Sequence, residues 1–378
     1  MRLSTTLVSL ASAAGTLAYP GMGKVMEEIE ARDEMLKGRS IELIGDLISG
    51  AYSPAGQAIK GILQGFGIAV ADKTQYKAPG ALGSDACKKD KLCMWKYLAD
   101  EMYAVFADSE GCTDLARGAI RLGFHDAGSW DRKSPNGGAD GSILLAGELS
   151  RPENFGLETI GSTTMGWYTK YKPYGAGMAD IIQLGANVGV VACPDGPRIR
   201  TFVGRPDSSK PAPDGKLPSV HADAQSLIDL FAAKTFTATD LVALVGAHTA
   251  SKQRFVDPSR AGAAQDSTPH YWDTSFYSET LDAARGISRN ATKTADPEEA
   301  DGTDNDGPTA TDVFVFQSDK NLAVYSKTKI QWAIFAGKLG KPTWALAYAS
   351  SYFRMSMLGV KNLNSLTEIS KVLPLTRT

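Results

Sequence analysis

Apolar residues recur every three to four positions through much of the chain, which is the spacing of amphipathic helices. The clearest runs are residues 95–106, 115–124, 178–191 and 222–231. Thr237-Ala-Thr-Asp240 is a capping-box pattern that opens one more run, Leu241 to His248. Strand patterns are few, and Asp312 to Phe316 is the best candidate. The pattern predicts a mainly α protein with long loops.

The N-terminus has the pattern of a secretory signal. Arg2 supplies a positive charge, and Leu7 to Ala18 form an apolar run that is too short to span a bilayer. We therefore expect residues 1–18 to be a signal peptide and the protein to be secreted and extracellular. A hydrophobic N-terminal helix that is kept is the alternative.

The remaining chain divides into three parts. Residues 19–86 form an N-terminal extension of unknown role, with a roughly amphipathic segment (22–70) that reads as separate and a polar linker (72–85). A propeptide, an accessory helical arm and a simple extension all fit it. Residues 87–350 form the main domain, and residues 351–378 a C-terminal tail.

Composition limits the classes of partner. The chain has 378 residues, of which 43% are hydrophobic and 22% charged, and a formal net charge of −2. These values are typical of a globular protein with a substantial core, and they give no electrostatic reason to expect a nucleic-acid or membrane partner. They do not indicate an oligomeric state.

Secretion makes the four cysteines candidates for disulfides. Four cysteines allow three pairings, and local spacing favours Cys87–Cys93 together with Cys112–Cys193. The Asn290-Ala-Thr292 sequence is an acceptor for N-glycosylation and fits the same route.

The most informative motif is Arg121-Leu-Gly-Phe-His125-Asp126. Residues four apart on a helix share a face, so Arg121 and His125 project into the same space. A fixed cation beside a titratable imidazole suits cleavage of a peroxide O–O bond, because the ring moves the proton and the cation stabilises the leaving oxygen.

Oxygen-rich loops accompany two of the four histidines. Asp126, Asp140 and Ser142 follow His125 and offer hard ligands that suit calcium. His248 ends the capped helix, and the loop from Asp266 to Asp273 follows it. The downstream half thus repeats the plan of the upstream half, whereas His221 and His270 are assigned no ligand role.

These motifs resemble the haem peroxidases of the plant, fungal and bacterial superfamily, in particular the secreted fungal class. The motifs occur in family order at family-like spacing over about residues 87–350: Arg121 to Asp126, Gly137 to Ser142, Gly204 to Asp207, Gly246 to Thr249, Asp266 to Thr268 and Gln317 to Asp319. The resemblance implies a two-lobed, mainly α fold with few short strands and haem b between a distal and a proximal lobe.

The resemblance also implies roles for individual residues. His248 would bind the haem iron and Asp319 would hold its other nitrogen, while Arg121 and His125 would act on hydrogen peroxide. Asn154 would set the tautomer of His125, Glu148 would hold Asn154, and Phe124 would be the distal aromatic. One calcium ion would be bound by Asp126, Gly138 through its carbonyl, Asp140 and Ser142. A second would be bound by Thr249, Asp266, Thr268, Tyr271 through its carbonyl, and Asp273. The resemblance implies the same two disulfides.

Two departures from the family pattern narrow the expected donors, and a third concerns the proximal pocket. The three acidic positions of the family's manganese site are Asp114, Gly118 and Arg254 here, so manganese oxidation is not expected. Ala243 stands where lignin-type enzymes carry a surface tryptophan, and Gln265 stands where an aromatic residue usually precedes the first proximal aspartate.

The sequence therefore predicts a secreted haem peroxidase that takes single electrons from small phenolic or other aromatic donors. One alternative is a haem-binding protein without turnover that serves in sensing or sequestration, but the intact catalytic set argues against it. Another is a calcium-stabilised secreted interaction protein whose N-terminal arm is the functional part.

Overall fold

The computed structural model describes residues 38–287 and 313–377. The expected signal peptide, Asn290 and the acidic stretch 296–306 lie outside these residues. The described chain is mainly helical, which confirms the predicted fold class. Its α-helices are α1 (Pro54–Leu63), α2 (Asp85–Lys88), α3 (Cys93–Phe106), α4 (Asp114–Gly128), α5 (Ser142–Leu145), α6 (Glu158–Tyr171), α7 (Met178–Ala192), α8 (Ala224–Ala233), α9 (Ala238–Val245), α10 (Ser275–Ala284), α11 (Gln317–Val324), α12 (Lys329–Phe335) and α13 (Gly340–Met355).

Other regular structure in the described residues is short. The 3₁₀ helices are Gly45–Ile48, Glu148–Ser150, Pro152–Asn154, Lys172–Tyr174, Gly246–Ala250, Pro258–Arg260, Leu363–Ser365 and Ser370–Val372. Strand β1 (Phe202–Val203) pairs antiparallel with β2 (Thr367–Glu368), and Phe202 lies opposite Glu368. The strand expected at Asp312 to Phe316 is wrong for residues 313–316, which are irregular; Phe314 donates one backbone hydrogen bond to Ala264 (2.8 Å).

The distal half is built on helices α4 and α7. Thr113 caps α4 by accepting from the backbone N–H of Ala116 (3.4 Å). Every residue of α7 is buried, as expected for a helix that is apolar on all sides. Gly123 allows the close crossing, because a Cβ there would lie 2.6 Å from the Cβ of Ala186 on α7 and 2.3 Å from Oη of Tyr352.

The proximal half is built around helix α9. The predicted capping box is confirmed: Thr237 accepts from the N–H of Asp240, and the Asp240 carboxylate accepts from the N–H of Thr237. After Val245 the chain tightens into the 3₁₀ turn Gly246–Ala250, which carries His248. A side chain at Gly246 would collide with Tyr277 and Trp344, so glycine lets this turn pack against the aromatic core.

Both expected disulfides are confirmed. Cys87–Cys93 closes the turn before α3, and Cys112–Cys193 joins the residue just before the α4 cap to the end of α7. The second bond therefore ties the start of α4, which carries Arg121 and His125, to the end of α7. It encloses 81 positions of sequence, and closing so long a loop restricts the unfolded chain strongly.

The segment that the sequence reads as separate is packed against the body. Ile44, Leu47, Ile59 and Ile62 of the N-terminal extension are buried in the same hydrophobic core as the rest of the chain. The expectation of a separate segment is wrong for residues 38–70. Their apolar positions face inward because they pack against apolar residues of α13 and of the segment that follows it. The boundary at residue 86 stays a prediction.

Polar contacts join this extension to the C-terminal end of the chain. The Asp46 carboxylate accepts from the backbone of Leu363 (2.7 Å) and from the side chain of Asn364 (2.9 Å). The buried Arg354 guanidinium donates to the carbonyls of Ser40 (2.9 Å) and Leu63 (3.1 Å). Residues 40–63 and 354–364 therefore belong to one core.

Within the described residues, none of the helices taken singly is long and apolar enough to cross a membrane; one sharply bent pair, Ala224–Ala233 with Ala238–Ala250, passes the same criteria jointly.

Candidate haem and peroxide site

Arg121 and His125 are in direct contact on one face of α4. The Nε–H of Arg121 donates to Nε2 of His125 (3.1 Å). The rest of the guanidinium donates to the carbonyls of Phe155 (2.7 Å) and Glu153 (3.1 Å). These two carbonyls fix the cation beside the imidazole, so the predicted pair forms with the geometry that its four-residue spacing implies.

The hydrogen bonds of His125 define its tautomer. Its Nδ1 lies 2.8 Å from Oδ1 of Asn154, and an amide oxygen only accepts. Nδ1 therefore carries the proton and Nε2 carries the lone pair, in agreement with the Arg121 contact. Burial, followed by the neighbouring Arg121 cation, lowers the pKa of His125 to about 3, and the Asn154 hydrogen bond opposes this shift. At neutral pH the ring is an uncharged base.

Asn154 is held by the backbone of Glu148 and not by its carboxylate. The amide Nδ2 of Asn154 donates to the Glu148 carbonyl (2.9 Å), which turns Oδ1 toward His125. The carboxylate of Glu148 instead accepts from Arg151 (2.9 Å) and from the backbone N–H of Ala212 (2.8 Å). The expected contact therefore exists, but through a different atom, because the 3₁₀ turn at 148–150 points the carboxylate away.

Phe124 is a residue of α4 and packs against α8. Its ring meets the His125 ring edge-on (5.8 Å between centroids) and stacks on Phe231 (6.4 Å). An apolar ring beside the imidazole keeps water away and contributes to the low pKa of His125. The structure therefore places the expected distal aromatic beside the base.

His248 and Asp319 form the second pair. Nδ1 of His248 lies 2.9 Å from Oδ2 of Asp319, whose side chain is buried. The edges of Phe276 and Phe316 meet the imidazole at 5.6 and 5.5 Å. Nε2 makes no hydrogen bond with any residue in the described part of the chain, so it is the nitrogen that is free to bind a metal. This donor, oriented by a carboxylate on its other nitrogen, fits a haem iron.

The predicted distal oxygen ligands lie close together at the end of α4. Asp126 is fully buried, and its carboxylate accepts from the backbone N–H groups of Gly141 (3.1 Å) and Ile143 (3.4 Å). Burial and the nearby Asp140 carboxylate raise the pKa of Asp126 well above its usual range. The Ser142 hydroxyl is buried and has no partner among the described residues.

Gly138 lies next to these groups, and its carbonyl accepts from the N–H of Asp140 (2.8 Å). The two carboxylates, the unpartnered hydroxyl and this carbonyl form an oxygen donor set that can hold a hard divalent cation.

The predicted proximal oxygen ligands lie close together, beginning at Thr249 next to His248. The Thr249 hydroxyl donates to Asp266 (2.5 Å), and the Thr268 hydroxyl donates to Asp273 (2.8 Å). Burial and then the Asp273 carboxylate raise the pKa of Asp266 well above its usual range. Tyr271 lies in the same turn, with its N–H on the Thr268 carbonyl (2.9 Å). This donor set also suits a hard cation.

The two oxygen-rich loops are not built from clusters of histidine, cysteine, aspartate or glutamate side chains. Among residues 38–287 and 313–377, no group of three or more histidine, cysteine, aspartate or glutamate side chains has metal-binding geometry. Each loop combines two carboxylates with hydroxyls and carbonyls, which is the ligand type that calcium takes.

Sequence reasoning missed an exposed aromatic pair and an ion-pair cluster near Arg121. Phe155 follows Asn154 and contacts Phe255, which follows His248 by seven residues (6.4 Å between centroids). Arg254 bonds Asp114 (3.1 Å). The substitution at Arg254 was visible in the sequence, but no local pattern announces the contact of the two phenylalanines.

Comparison with known proteins agrees with this geometry. A family model described as peroxidase matches residues 98–338, which is more than half of the chain. A peroxidase of Coprinopsis cinerea is 28% identical over 313 residues, covering 79% of this chain and 82% of its own length. Manganese peroxidase 3 of Phlebia radiata is 32% identical over 274 residues, with 70% and 72% covered. A peroxidase of Arthromyces ramosus is 28% identical over 301 residues, with 77% and 78% covered.

These matches confirm the resemblance drawn from the motifs. The residues matched by the family model include the Arg121–His125 pair and the His248–Asp319 pair. The chain therefore belongs to the peroxidase family, as a haem-using, hydrogen-peroxide-dependent oxidoreductase with fungal class II peroxidases among its relatives.

Proposed function

We propose that this protein is a secreted peroxidase that oxidises small aromatic donors in one-electron steps, with Arg121 and His125 acting on peroxide and His248 binding the haem iron. The observation that carries the proposal is the Arg121–His125 contact, in which a fixed cation touches a neutral imidazole whose Nε2 is an acceptor. The same two groups, in the same tautomeric state, are what proton transfer across an O–O bond requires.

Haem b, when bound, would supply a redox centre that gives two electrons to peroxide and recovers them one at a time from two donor molecules. His248 would hold it through Nε2, and Asp319 would keep the ring oriented and strongly electron-donating. Phe276 and Phe316 support this orientation from both edges.

His125 would take a proton from one peroxide oxygen at Nε2, where peroxide would replace the Arg121 N–H as the donor, and return it to the other oxygen. Asn154 keeps Nδ1 protonated during this transfer, because its amide is itself held by the Glu148 carbonyl. Burial lowers the pKa of Arg121 to about 10, which still leaves the guanidinium charged at neutral pH. It would stabilise the negative charge on the departing oxygen.

Two calcium ions are the proposed occupants of the oxygen-rich loops. One would use Asp126, Gly138, Asp140 and Ser142, and the other Thr249, Asp266, Thr268, Tyr271 and Asp273. Each ion would join the end of a histidine-bearing helix to a loop and so support the position of one histidine. The buried, mutually repelling carboxylates support this proposal.

The donors would be small aromatic molecules and not manganese. Asp114, the one acidic residue at the three manganese positions, is engaged by Arg117 (3.0 Å) and Arg254 (3.1 Å). Ala243, the position of the lignin-oxidising tryptophan, is fully buried and accepts a hydrogen bond from Trp344. Secretion is supported by the signal-like N-terminus and the two disulfides.

The test uses the purified holoenzyme. We expect a Soret band that changes on rapid mixing with hydrogen peroxide, and two molecules of a small phenol oxidised for each peroxide consumed. A protein without a Soret band, or one whose band does not respond to peroxide, would overturn the proposal.

A gain-of-function variant tests the donor assignment. Gly118→Glu combined with Arg254→Asp provides three carboxylates with Asp114, and we expect it to gain saturable manganese(II) oxidation. Arg254→Gln alone is the matched control and should gain none. Saturable manganese oxidation by the unaltered protein would contradict the assignment.

A further inference from the structure

Three basic side chains surround a single carboxylate at the N-terminal end of α4. Asp114 bonds Arg117 (3.0 Å) and Arg254 (3.1 Å), and the Lys252 ammonium lies 4.0 Å away. Arg254 remains half exposed, with 52% of its side chain accessible, so its charge reaches solvent. The carboxylate neutralises only part of this cluster, which we call the cationic cluster.

The surroundings of the cluster confirm its excess of positive charge. Burial lowers the pKa of Lys252, and the nearby Arg117 and Arg254 cations lower it further. Arg121 adds a fourth cation on the same face of α4, since residues 114, 117, 118, 121 and 125 lie on one stripe of the helix. Other carboxylates balance the two buried cations, since Asp108 and Asp266 act on Arg117 and Glu158 acts on Arg121. At the surface, the two charges of Arg254 and Lys252 exceed the single charge of Asp114.

An exposed aromatic pair adjoins the cluster. Phe155 and Phe255 have 43% and 57% of their surface accessible, and their rings are tilted by 59° in contact with each other. Phe255 follows Arg254 directly in the chain. Two large aromatic rings exposed side by side form an apolar surface that water solvates poorly.

This surface is connected to the catalytic pair by direct contacts. A Cβ built on Gly156 would lie 2.7 Å from the Phe255 ring and 3.3 Å from Nη1 of Arg121. Arg121 donates to the Phe155 carbonyl and to His125. A molecule on the phenylalanine pair would therefore lie close to Arg121 and His125, with Gly156 between.

We propose that the cationic cluster and the phenylalanine pair together form a docking site that selects aromatic donors carrying a carboxylate or sulfonate. The aromatic ring rests on Phe155 and Phe255, and the anionic group lies toward Arg254 and Lys252. This rests on the proposed function and deepens it by naming the donor class. Each phenol loses one electron and one proton, and two phenols reduce one hydrogen peroxide to two waters.

Three phenols of matched size test the selectivity: 3-(4-hydroxyphenyl)propionate (anionic), 4-ethylphenol (neutral) and tyramine (cationic). At about 10 mM salt, we expect kcat/KM to fall in that order, with about a tenfold difference between the first and the last. At about 1 M salt the difference should shrink to nearly none, because the Debye length is then about 3 Å. Equal values for the three donors at low salt would overturn the proposal.

Arg254→Glu should remove or reverse the preference, changing the ratio of kcat/KM for the anionic and cationic phenols about tenfold. Lys91→Glu makes the same charge change at an exposed residue just before α3. The other end of α3, at Phe106, contacts Thr113 at the start of α4, and the length of α3 separates the two ends by about 20 Å. This control should keep the ratio of the unaltered protein. A ratio that is unchanged in Arg254→Glu would overturn the proposal.

Binding without turnover separates this proposal from the peroxidase assignment. Saturation-transfer NMR with benzoate and with benzylammonium should show benzoate binding that weakens about fivefold or more in Arg254→Glu. Preferential benzoate binding by a protein that oxidises no phenol would sustain the site and overturn the proposed function. Oxidation of phenols without any charge preference would sustain the proposed function and overturn the docking site.

Discussion

The distal histidine, His125, and the proximal histidine, His248, are each held through Nδ1, but their partners differ in charge. Nδ1 of His125 bonds the neutral amide of Asn154 (2.8 Å), and Nδ1 of His248 bonds the buried carboxylate of Asp319 (2.9 Å). Arg121 touches the first ring, whereas two phenylalanine edges enclose the second. The geometry is nearly equal, so the chemical difference comes from the partners.

This contrast explains two tasks for one side chain. An amide partner fixes the tautomer without attracting a second proton, so His125 remains a free base beside a cation. A carboxylate partner pushes electron density into the ring, which suits a permanent metal ligand. The following variants test the contrast, in order of decreasing expected effect.

His125→Leu should slow the reaction with hydrogen peroxide by about 10³–10⁴-fold, because it removes the proton acceptor and donor. The measurement is the second-order rate constant from stopped-flow absorbance of the haem band, with the resting Soret band showing that haem remains bound. His221→Leu alters an exposed histidine and should react normally. A normal rate in His125→Leu would refute the assignment.

Asp319→Asn gives the proximal ring the kind of partner that the distal ring has. We expect turnover to fall about 10–100-fold and the haem reduction potential to become more positive, because the ring donates less electron density. Spectroelectrochemical titration measures the potential. Ser318→Ala removes only a hydroxyl that bonds Asp319 (3.3 Å) and should shift it less. An unchanged potential in Asp319→Asn would break the comparison.

Asn154→Asp makes the converse exchange. Because the pKa of His125 is lowered to about 3, the unaltered enzyme should react with peroxide at a constant rate from about pH 4 to neutrality and lose activity only below that range. A carboxylate at position 154 favours the protonated ring, so the acid limb should move up by about one pH unit or more.

Asn154→Leu is the matched variant, since it removes the hydrogen bond without adding a charge. Its rate should fall while its acid limb stays low. If Asn154→Asp and Asn154→Leu have the same pH profile, the charge of the partner does not control the distal base.

Calcium removal compares the two loops. Chelation of both ions should lower Tm by about 10 °C, on the basis of about 2.7 kcal/mol for each ion at a hundred times its Kd and about 2 °C per kcal/mol. Asp140→Asn and Asp273→Asn should each remove part of this effect. Asp229→Asn, at an exposed position, should leave it intact. An unchanged Tm on chelation would count against both sites.

The smallest expected effect concerns two buried amides. Asn154 uses both ends of its amide, but the fully buried Gln265 has no partner for either end among the described residues. Gln265→Met keeps the side-chain volume and removes an unpaired polar group, so we expect the free energy of unfolding to rise by about 1 kcal/mol. Thermal unfolding measures it, and a loss of stability would show that the amide is paired.

Much of the candidate site could be predicted because its pieces are local. The Arg121–His125 contact follows from helix periodicity, and the start of α9 follows from its capping box. The pairing of His248 with Asp319 came from the resemblance, because 71 residues separate them and no local rule joins them.

Loop contacts could not be predicted in the same way. The Glu148 carboxylate reaches Arg151 and Ala212 because of the turn that precedes Asn154, and residue identity does not reveal that orientation. The extension at 38–70 looked separate because its apolar positions have no partner nearby in the sequence. Its partners lie more than 300 positions later, at Asn364 and its neighbours.

The sequence by itself determined helices α3, α4, α7, α8 and α9, the residues on the candidate catalytic face of α4 and the family. Helix geometry and motif spacing depend on neighbouring residues, so these could be predicted locally. Only the tertiary structure decided which atom holds Asn154 and how residues 40–63 pack with residues 354–364. It also decided that Phe155, Phe255 and Arg254 share one surface beside Arg121. Those outcomes depend on packing between distant segments, where burial and charge choose among many contacts that the local pattern leaves equally open.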